Sequence, residues 1–322
     1  MKEFSGRLAV ITGGGAGMGR ELALALCQQG CHVAICDLSE DAMAKTEAQC
    51  RDAAAQGTRI STFRADVSNE TEMASFRDAV ADAHGISHIN LLFNNAGIGG
   101  GGSFVNDDRG EWERTFNICW YGVYGTTRVF LPALLAADEG HIINTSSING
   151  FWASLGPNTA HTAYSAAKFA VKGFSEALVN DLRNNAPHLK VSVVMPGHVG
   201  TDIVFNSRTH QGKQAALDMS GEELEKARAM LRARSIPVDG MSDEQVRGAM
   251  HQFAVTFRDN ATTSAAEAAK IILDGVRDER WRILVGEDAI AIDDLVRTEP
   301  EAAYEEDFMN TLRSRTGWRL GN

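Results

Sequence analysis

Seven short apolar runs recur through the first 286 residues: RLAVIT (7–12), CHVAIC (31–36), RISTFRAD (59–66), INLLFNNAG (89–97), HIINTSS (141–147), VSVVMPG (191–197) and WRILVG (281–286). Each closes on a glycine or on a polar residue capable of chemistry. Between them lie longer stretches in which apolar residues return every three or four positions, as in GRELALALCQQG and YSAAKFAVKGFSEALVNDLR, which is the signature of helices with one buried face. Strands alternating with helices predict an α/β fold, a Rossmann-like doubly wound parallel sheet in a single domain, with the ligand at the C-terminal ends of the strands. Beyond residue 201 the spacing changes. Ser220-x-x-Glu223, Ser242-x-x-Gln245 and Ser264-x-x-Glu267 are capping-box patterns, each opening a predicted helix. The chain ends in an acidic, partly helical extension over 287–322.

The first strand runs straight into GGGAGMG, where Gly13, Gly17 and Gly19 give the spacing T-G-x-x-x-G-x-G ahead of an apolar helix. Strand, glycine turn and helix in that order suit a pyrophosphate: N–H groups gather at a helix N-terminus and no Cβ blocks close approach. The second strand stops at Asp37, 18 residues beyond Gly19. A carboxylate there accepts hydrogen bonds from the two hydroxyls of an adenosine ribose and repels a 2′-phosphate. Tyr164 and Lys168 lie four apart on a helix, hence one turn apart on the same face. A phenol, with an ordinary pKa near ~10, becomes a useful base only when something favours the phenolate, and a neighbouring ammonium does so. Ser146 or Ser147 offers a neutral donor to a substrate oxygen. Asn117, among apolar neighbours in EWERTFNICWYGVYG, is either a structural hydrogen-bonder or part of a site.

Charge narrows the class of partner. A formal net charge of −11 disfavours nucleic acid and anionic membrane surfaces, and nine of the acidic side chains fall in residues 287–307, where they read as solvated surface. The five cysteines show no C-x-x-C pair, so no metal site and no disulfide framework is expected, only reduced and mostly buried thiols. The N-terminus enters a strand without a signal-peptide core, and no apolar run approaches the ~20 residues of a membrane span. A cytoplasmic protein is the expectation.

Taken together, TGGGAGMG, Asp66-Val67, NNAG, Asn117, Ser146-Ser147, YSAAK and PGHVGT, in this order over residues 6 to about 203, resemble the short-chain dehydrogenase/reductases. The resemblance implies NAD-dependent interconversion of a secondary alcohol and a ketone or aldehyde. It makes Tyr164 the general acid/base, Lys168 the residue that lowers its pKa and binds the nicotinamide ribose, Ser147 the holder of the substrate oxygen, and Asn117 the holder of a relay water. It places Gly13, Gly15, Gly17, Met18 and Gly19 around the pyrophosphate and Asp37 on the adenosine ribose. Asp66 and Val67 flank the adenine, Asn95, Ala96 and Gly97 the ribose side, and Gly197, Val199 and Thr201 the carboxamide. Residues 202–260 would form a flap over a bulky, largely apolar substrate. A homodimer or homotetramer is implied. An NADP-dependent carbonyl reductase and a dinucleotide-binding regulator without catalysis are the alternatives. Two features depart from the family: the 17-residue spacing from Ser147 to Tyr164, which implies a longer loop at GPNTAHTA, and the length of the C-terminal extension. His161 and His198 lie near the expected site without an assigned role.

Overall fold

The computed structural model describes residues 1–156, 159–233, 236–316 and 318. In chain order the first half contains β1 (Leu8–Thr12), α1 (Gly17–Gln28), β2 (His32–Asp37), α2 (Glu40–Ala53), β3 (Ile60–Arg64), α3 (Glu70–His84), β4 (Leu91–Asn94) and α4 (Arg109–Phe116). A π-helical turn, Asn117–Tyr121, joins α4 to α5 (Gly122–Leu135). Then come β5 (Gly140–Thr145), α6 (Thr162–Asn185), β6 (Leu189–Pro196), β7 (Val199–Gly200), α7 (Ile203–His210), α8 (Gly221–Ala233), α9 (Asp243–Asp259), β8 (Thr263–Ser264), α10 (Ala265–Arg277), β9 (Arg282–Val285), α11 (Glu287–Thr298) and α12 (Glu306–Thr316).

Seven strands pair in parallel in the order β3-β2-β1-β4-β5-β6-β9, while β7 and β8 form a separate two-stranded ribbon. The order reverses between β1 and β4, which opens the crevice where ligands bind in such sheets. Alternation along each strand feeds two cores. Ala9, Ile11, Val33, Ile35, Leu91 and Phe93 face α1, α2 and α10, whereas Leu8, Val10, Ala34 and Leu92 face α3, α5 and α6. A parallel sheet covered on both faces has to be apolar on both, which is why these strands read as continuous hydrophobic runs.

All seven apolar runs of the sequence became strands of the main sheet. Two of the three predicted capping boxes close, at Ser242 with Gln245 and at Ser264 with Glu267. The first does not show that pattern: Glu223 instead takes Arg208 and the N–H of Gln214, and Ser220 bonds the Gln214 side chain. A guanidinium is the stronger partner for that carboxylate. Between α7 and α9, Met219, Leu224, Leu231 and Val246 pack into a small core of their own. No helix among the described residues is long and apolar enough to cross a membrane.

Candidate active site

The glycine turn after β1 is pressed against the end of β4. A Cβ on Gly13 would stand 2.9 Å from the Ala96 Cα, and one on Gly19 would collide with the Gly13 carbonyl oxygen, so only glycine permits this approach. Thr12 and Asn95 lock it. Thr12 Oγ1 accepts the N–H groups of Asn95 and Ala96 at 3.0 and 3.1 Å, while Asn95 Nδ2 donates to the carbonyls of Thr12 and Gly13 at 3.1 and 3.3 Å. The Asn95 amide therefore braces the turn. Met18, in the first turn of α1, packs against the core on that side. Gly17 faces Thr201, whose Cγ2 would lie 3.2 Å from a Cβ there, so Thr201 closes over the start of α1.

The Asp37 carboxylate is held by backbone N–H groups of neighbouring segments. Its Oδ2 accepts from Gly15 N at 3.0 Å and its Oδ1 from Ser39 N at 3.1 Å, which fixes the carboxylate at the edge of the glycine turn. Asp66 turns the chain by accepting from Ser68 N at 2.9 Å, and Val67 packs over Gly122 of α5. Val199 is buried in the β7 ribbon, two residues before Thr201. A cradle without Cβ atoms, a helix N-terminus and a fixed carboxylate suit a dinucleotide's pyrophosphate and adenosine ribose.

The reacting half lies at the end of β5 and the start of α6. The Ser147 side chain lies beside the Tyr164 phenol, and Ser147 Oγ accepts from Asn149 N at 3.1 Å. Lys168 Nζ, almost fully buried, donates to Thr145 O at 2.7 Å and stands 5.3 Å from the centre of the Tyr164 ring. Ser146 is committed elsewhere: its Oγ donates to the Lys168 carbonyl at 2.8 Å and tucks against Gly150. Of the two serines, Ser147 is the one beside the phenol.

Burial pushes the Tyr164 phenol well above its ordinary range, with the Cys119 thiol adding in the same direction and the Ser147 side chain opposing it. Burial likewise lowers the Lys168 ammonium. Desolvation is the largest of these influences on the phenol.

Asn117 requires a correction. Its side chain is exposed at the start of the π-helical turn, where its carbonyl accepts from Gly122 N. Two residues along a helix rotate the side chain by roughly 200°, and the position facing the reacting group belongs to Cys119. Cys119 is fully buried and donates to Ile98 O at 3.3 Å. Gly97 runs between the two groups: a Cβ on it would lie 3.6 Å from Lys168 Nζ and 3.7 Å from Cys119 Sγ. The signal was present in the buried stripe Thr115, Ile118, Cys119, Gly122, Val123, whose helical spacing leaves Asn117 off the face.

Both histidines near the site have places. The His161 ring lies 4.6 Å from the Tyr164 ring, centre to centre, and burial lowers its pKa to about 4, leaving it neutral at pH 7. His198 Nε2 is hydrogen-bonded to Phe257 O at 2.7 Å, which ties the turn after β6 to α9. Among the described residues, no group of three or more His, Cys, Asp or Glu side chains could hold a metal ion.

Known proteins share this arrangement of sheet, glycine turn and tyrosine helix. The family model described as short chain dehydrogenase matches residues 7–212. A Mycobacterium tuberculosis protein named as the oxidoreductase SadH is 34% identical over 298 residues, 92% of each chain. Dehydrogenase/reductase SDR family member 11 of Homo sapiens is 31% identical over 218 residues, 67% of this chain and 82% of that one. Among solved structures, a short chain dehydrogenase/reductase from Burkholderia phymatum in complex with NAD is 29% identical with a TM-score of 0.74, covering 94% of this chain and 96% of that one. A metagenomic short-chain oxidoreductase in complex with NADP is 31% identical with a TM-score of 0.53 over 60% of this chain and 83% of that one. With a matched model spanning the glycine turn, the tyrosine helix and the sheet between them, the chain belongs to the short-chain dehydrogenase/reductase family of oxidoreductases.

Proposed function

We propose that the protein is an NAD-dependent oxidoreductase that interconverts a secondary alcohol and a ketone or aldehyde. The observation that carries this reading is buried Lys168, anchored on Thr145 O with its Nζ 5.3 Å from the Tyr164 ring centre, and Ser147 beside the phenol. Bound there, the nicotinamide would supply or accept the hydride. The chain's own residues do the rest. Ser147 donates to the substrate oxygen, Tyr164 gives or takes the proton at its Oη, and Lys168, anchored on Thr145, keeps a positive charge close to the phenol. No step passes through Asn117.

NAD rather than NADP is favoured by Asp37, whose carboxylate would repel a 2′-phosphate. Arg20, the cation that directly follows the glycine turn, is paired with Glu21 at 3.1 Å. An NADP-dependent carbonyl reductase is the second reading, supported by the NADP bound to the metagenomic relative. Ile203, Val204 and Phe205 remain partly exposed directly after Thr201, which favours a bulky, largely apolar substrate beneath the segment 203–259. Leu224 and Leu231 of this segment are buried in the separate small core. We further propose a homodimer or homotetramer, supported by exposed Tyr121, Tyr124 and Phe169 on neighbouring helical faces; sedimentation of a monomer at micromolar concentration would remove it.

The test is a panel of alcohols and ketones of graded size, with NADH and NADPH absorbance as the readout. Turnover with NAD on bulky apolar members is the expected result. Equal or better kcat/KM with NADP would transfer the assignment to the second reading, activity only on small polyols would sink the substrate class, and binding without any turnover would leave a regulator.

A further inference from the structure

The C-terminal extension carries more than solvated acids. Asp288 is buried and Asp293 is paired with Arg282 and Arg297, while α11 and α12 turn an apolar side inward. That side does not serve only the sheet. Ala289, Ile292, Leu295, Phe308 and Leu312 close around Ile148 and Trp152, two residues of the loop that leaves Ser147.

We propose that residues 287–318 are a clamp that positions the Ser147 side of the active site. Trp152 is fully buried, with its ring 5.6 Å from Phe308 and 6.3 Å from Trp318, centre to centre, and its Nε1 donates to Ala303 O at 2.8 Å. The next residue, Ala153, donates its N–H to the Tyr304 hydroxyl at 3.1 Å, and Trp318 Nε1 donates to Leu155 O at 3.4 Å. Three consecutive stretches of the extension thus grip one short loop. The grip is passed inward by buried Asn149, whose Nδ2 donates to Trp152 O at 3.0 Å and Ser154 O at 2.8 Å while its backbone N–H donates to Ser147 Oγ at 3.1 Å. That last bond occupies a lone pair of Ser147 Oγ and leaves its single O–H to donate to the substrate oxygen.

The same extension touches the opposite wall. Asp288, in the first turn of α11, accepts the His198 N–H at 2.7 Å and lies so close to Gly197 that a Cβ there would collide with its carboxylate. Gly197 and His198 lead into Val199 and Thr201, so one element sets the spacing between the serine loop and the turn facing the cofactor. Trp152, Tyr304 and Trp318 are accordingly positioning residues, acting on substrate through Asn149 and Ser147. This proposal rests on Ser147 and Tyr164 being the reacting pair.

Trp318 and Tyr304 lie outside the sheet and its two cores, so their variants test the clamp in a folded protein. Trp318→Ala is expected to raise the substrate KM by about tenfold or more, because displaced positioning groups cost on that scale. NAD affinity should stay at its wild-type value and kcat should fall by less than KM rises. Amide exchange over 149–155 should speed up by a similar factor, Tyr304→Phe should do the same to a smaller extent, and Trp318→Phe should restore most of both. Wild-type KM and wild-type exchange in folded Trp318→Ala would overturn the clamp. So would parallel losses of NAD affinity, kcat and melting temperature, which would mark a general packing role. If the wild-type protein oxidises no alcohol of the panel, the proposed activity fails, while the exchange measurement still decides the clamp.

Discussion

A phenol that burial holds in its protonated form is a ready acid and a reluctant base. The raised pKa of Tyr164 therefore gives the two directions of the proposed reaction different pH dependence. Ketone reduction, which needs the proton on Oη, should stay level from neutral pH upward and fall only in the alkaline range. Alcohol oxidation, which needs it gone, should climb with pH. A reduction rate that falls between pH 6 and 8 would contradict the assignment. Tyr164→Phe should cut kcat by ~10²-fold or more with NAD binding intact, the usual scale of general acid/base catalysis. Asn117→Ala, at an exposed position, should leave kcat within about twofold, as surface substitutions do. A loss as large as that of Tyr164→Phe would restore Asn117 to the site. Asp37→Ala should narrow the preference for NAD over NADP, mainly by weakening NAD use, and an unchanged ratio of kcat/KM would exclude Asp37 as its source. At this scale Tyr164, Lys168 and Asp37 could be read directly, because each sits at a strand end or on a helix turn whose spacing is local, whereas that spacing left Ser146 and Ser147 open and the family resemblance singled out Ser147. Cys119 could not. Its place depends on the phase of a helix interrupted by a π-helical turn, and a cysteine there looks like any other buried thiol.

Elements were more legible than the contacts among them. Apolar runs bounded by glycine or polar ends are a strong signal for buried parallel strands, and the glycine turn gave away β1 and α1 together. The two-residue β7 and β8 were invisible, since a ribbon that short has no periodicity. The expected longer loop at GPNTAHTA includes Pro157 and Asn158, which lie outside the described residues. Close approach of whole elements makes a sharper test than any single side chain. Gly19 lets α1 meet the Gly13 carbonyl, so Gly19→Ala should push the helix off the turn, at a cost of roughly 1–3 kcal/mol for overpacking, and should weaken dinucleotide binding before substrate binding. Wild-type NAD affinity in a titration of that variant would show that the turn is not the pyrophosphate cradle.

Across the whole molecule, stability should report the histidines that folding buries. Burial lowers His84 and His161 to about 4 and His141 to about 3, so the folded protein resists protonating groups that the unfolded chain protonates near ~6.5. Their contribution is fully present above that value and is lost as pH falls toward 4 and 3, so the melting temperature should be level at pH 7 and above and decline steadily below about 6. A melting temperature constant from pH 7 to 5 would argue that these rings stay hydrated. The acidic composition of the extension hid its packing, because the partners of Trp152 lie far along the chain; the hydrogen bond to Ala303 spans 151 residues. That separation is also a delay during synthesis. A ribosome adding ~5–20 residues per second needs roughly 8–30 s to pass from Trp152 to Ala303, and for most of that interval both the glycine turn and the tyrosine helix have already been made. The nascent chain should therefore gain a grip on dinucleotide before it can hold its serine loop, and a protease should cut that loop in chains stalled before residue 300 and spare it in released ones. Maturation of this active site is written from a segment made late back onto one made well before it.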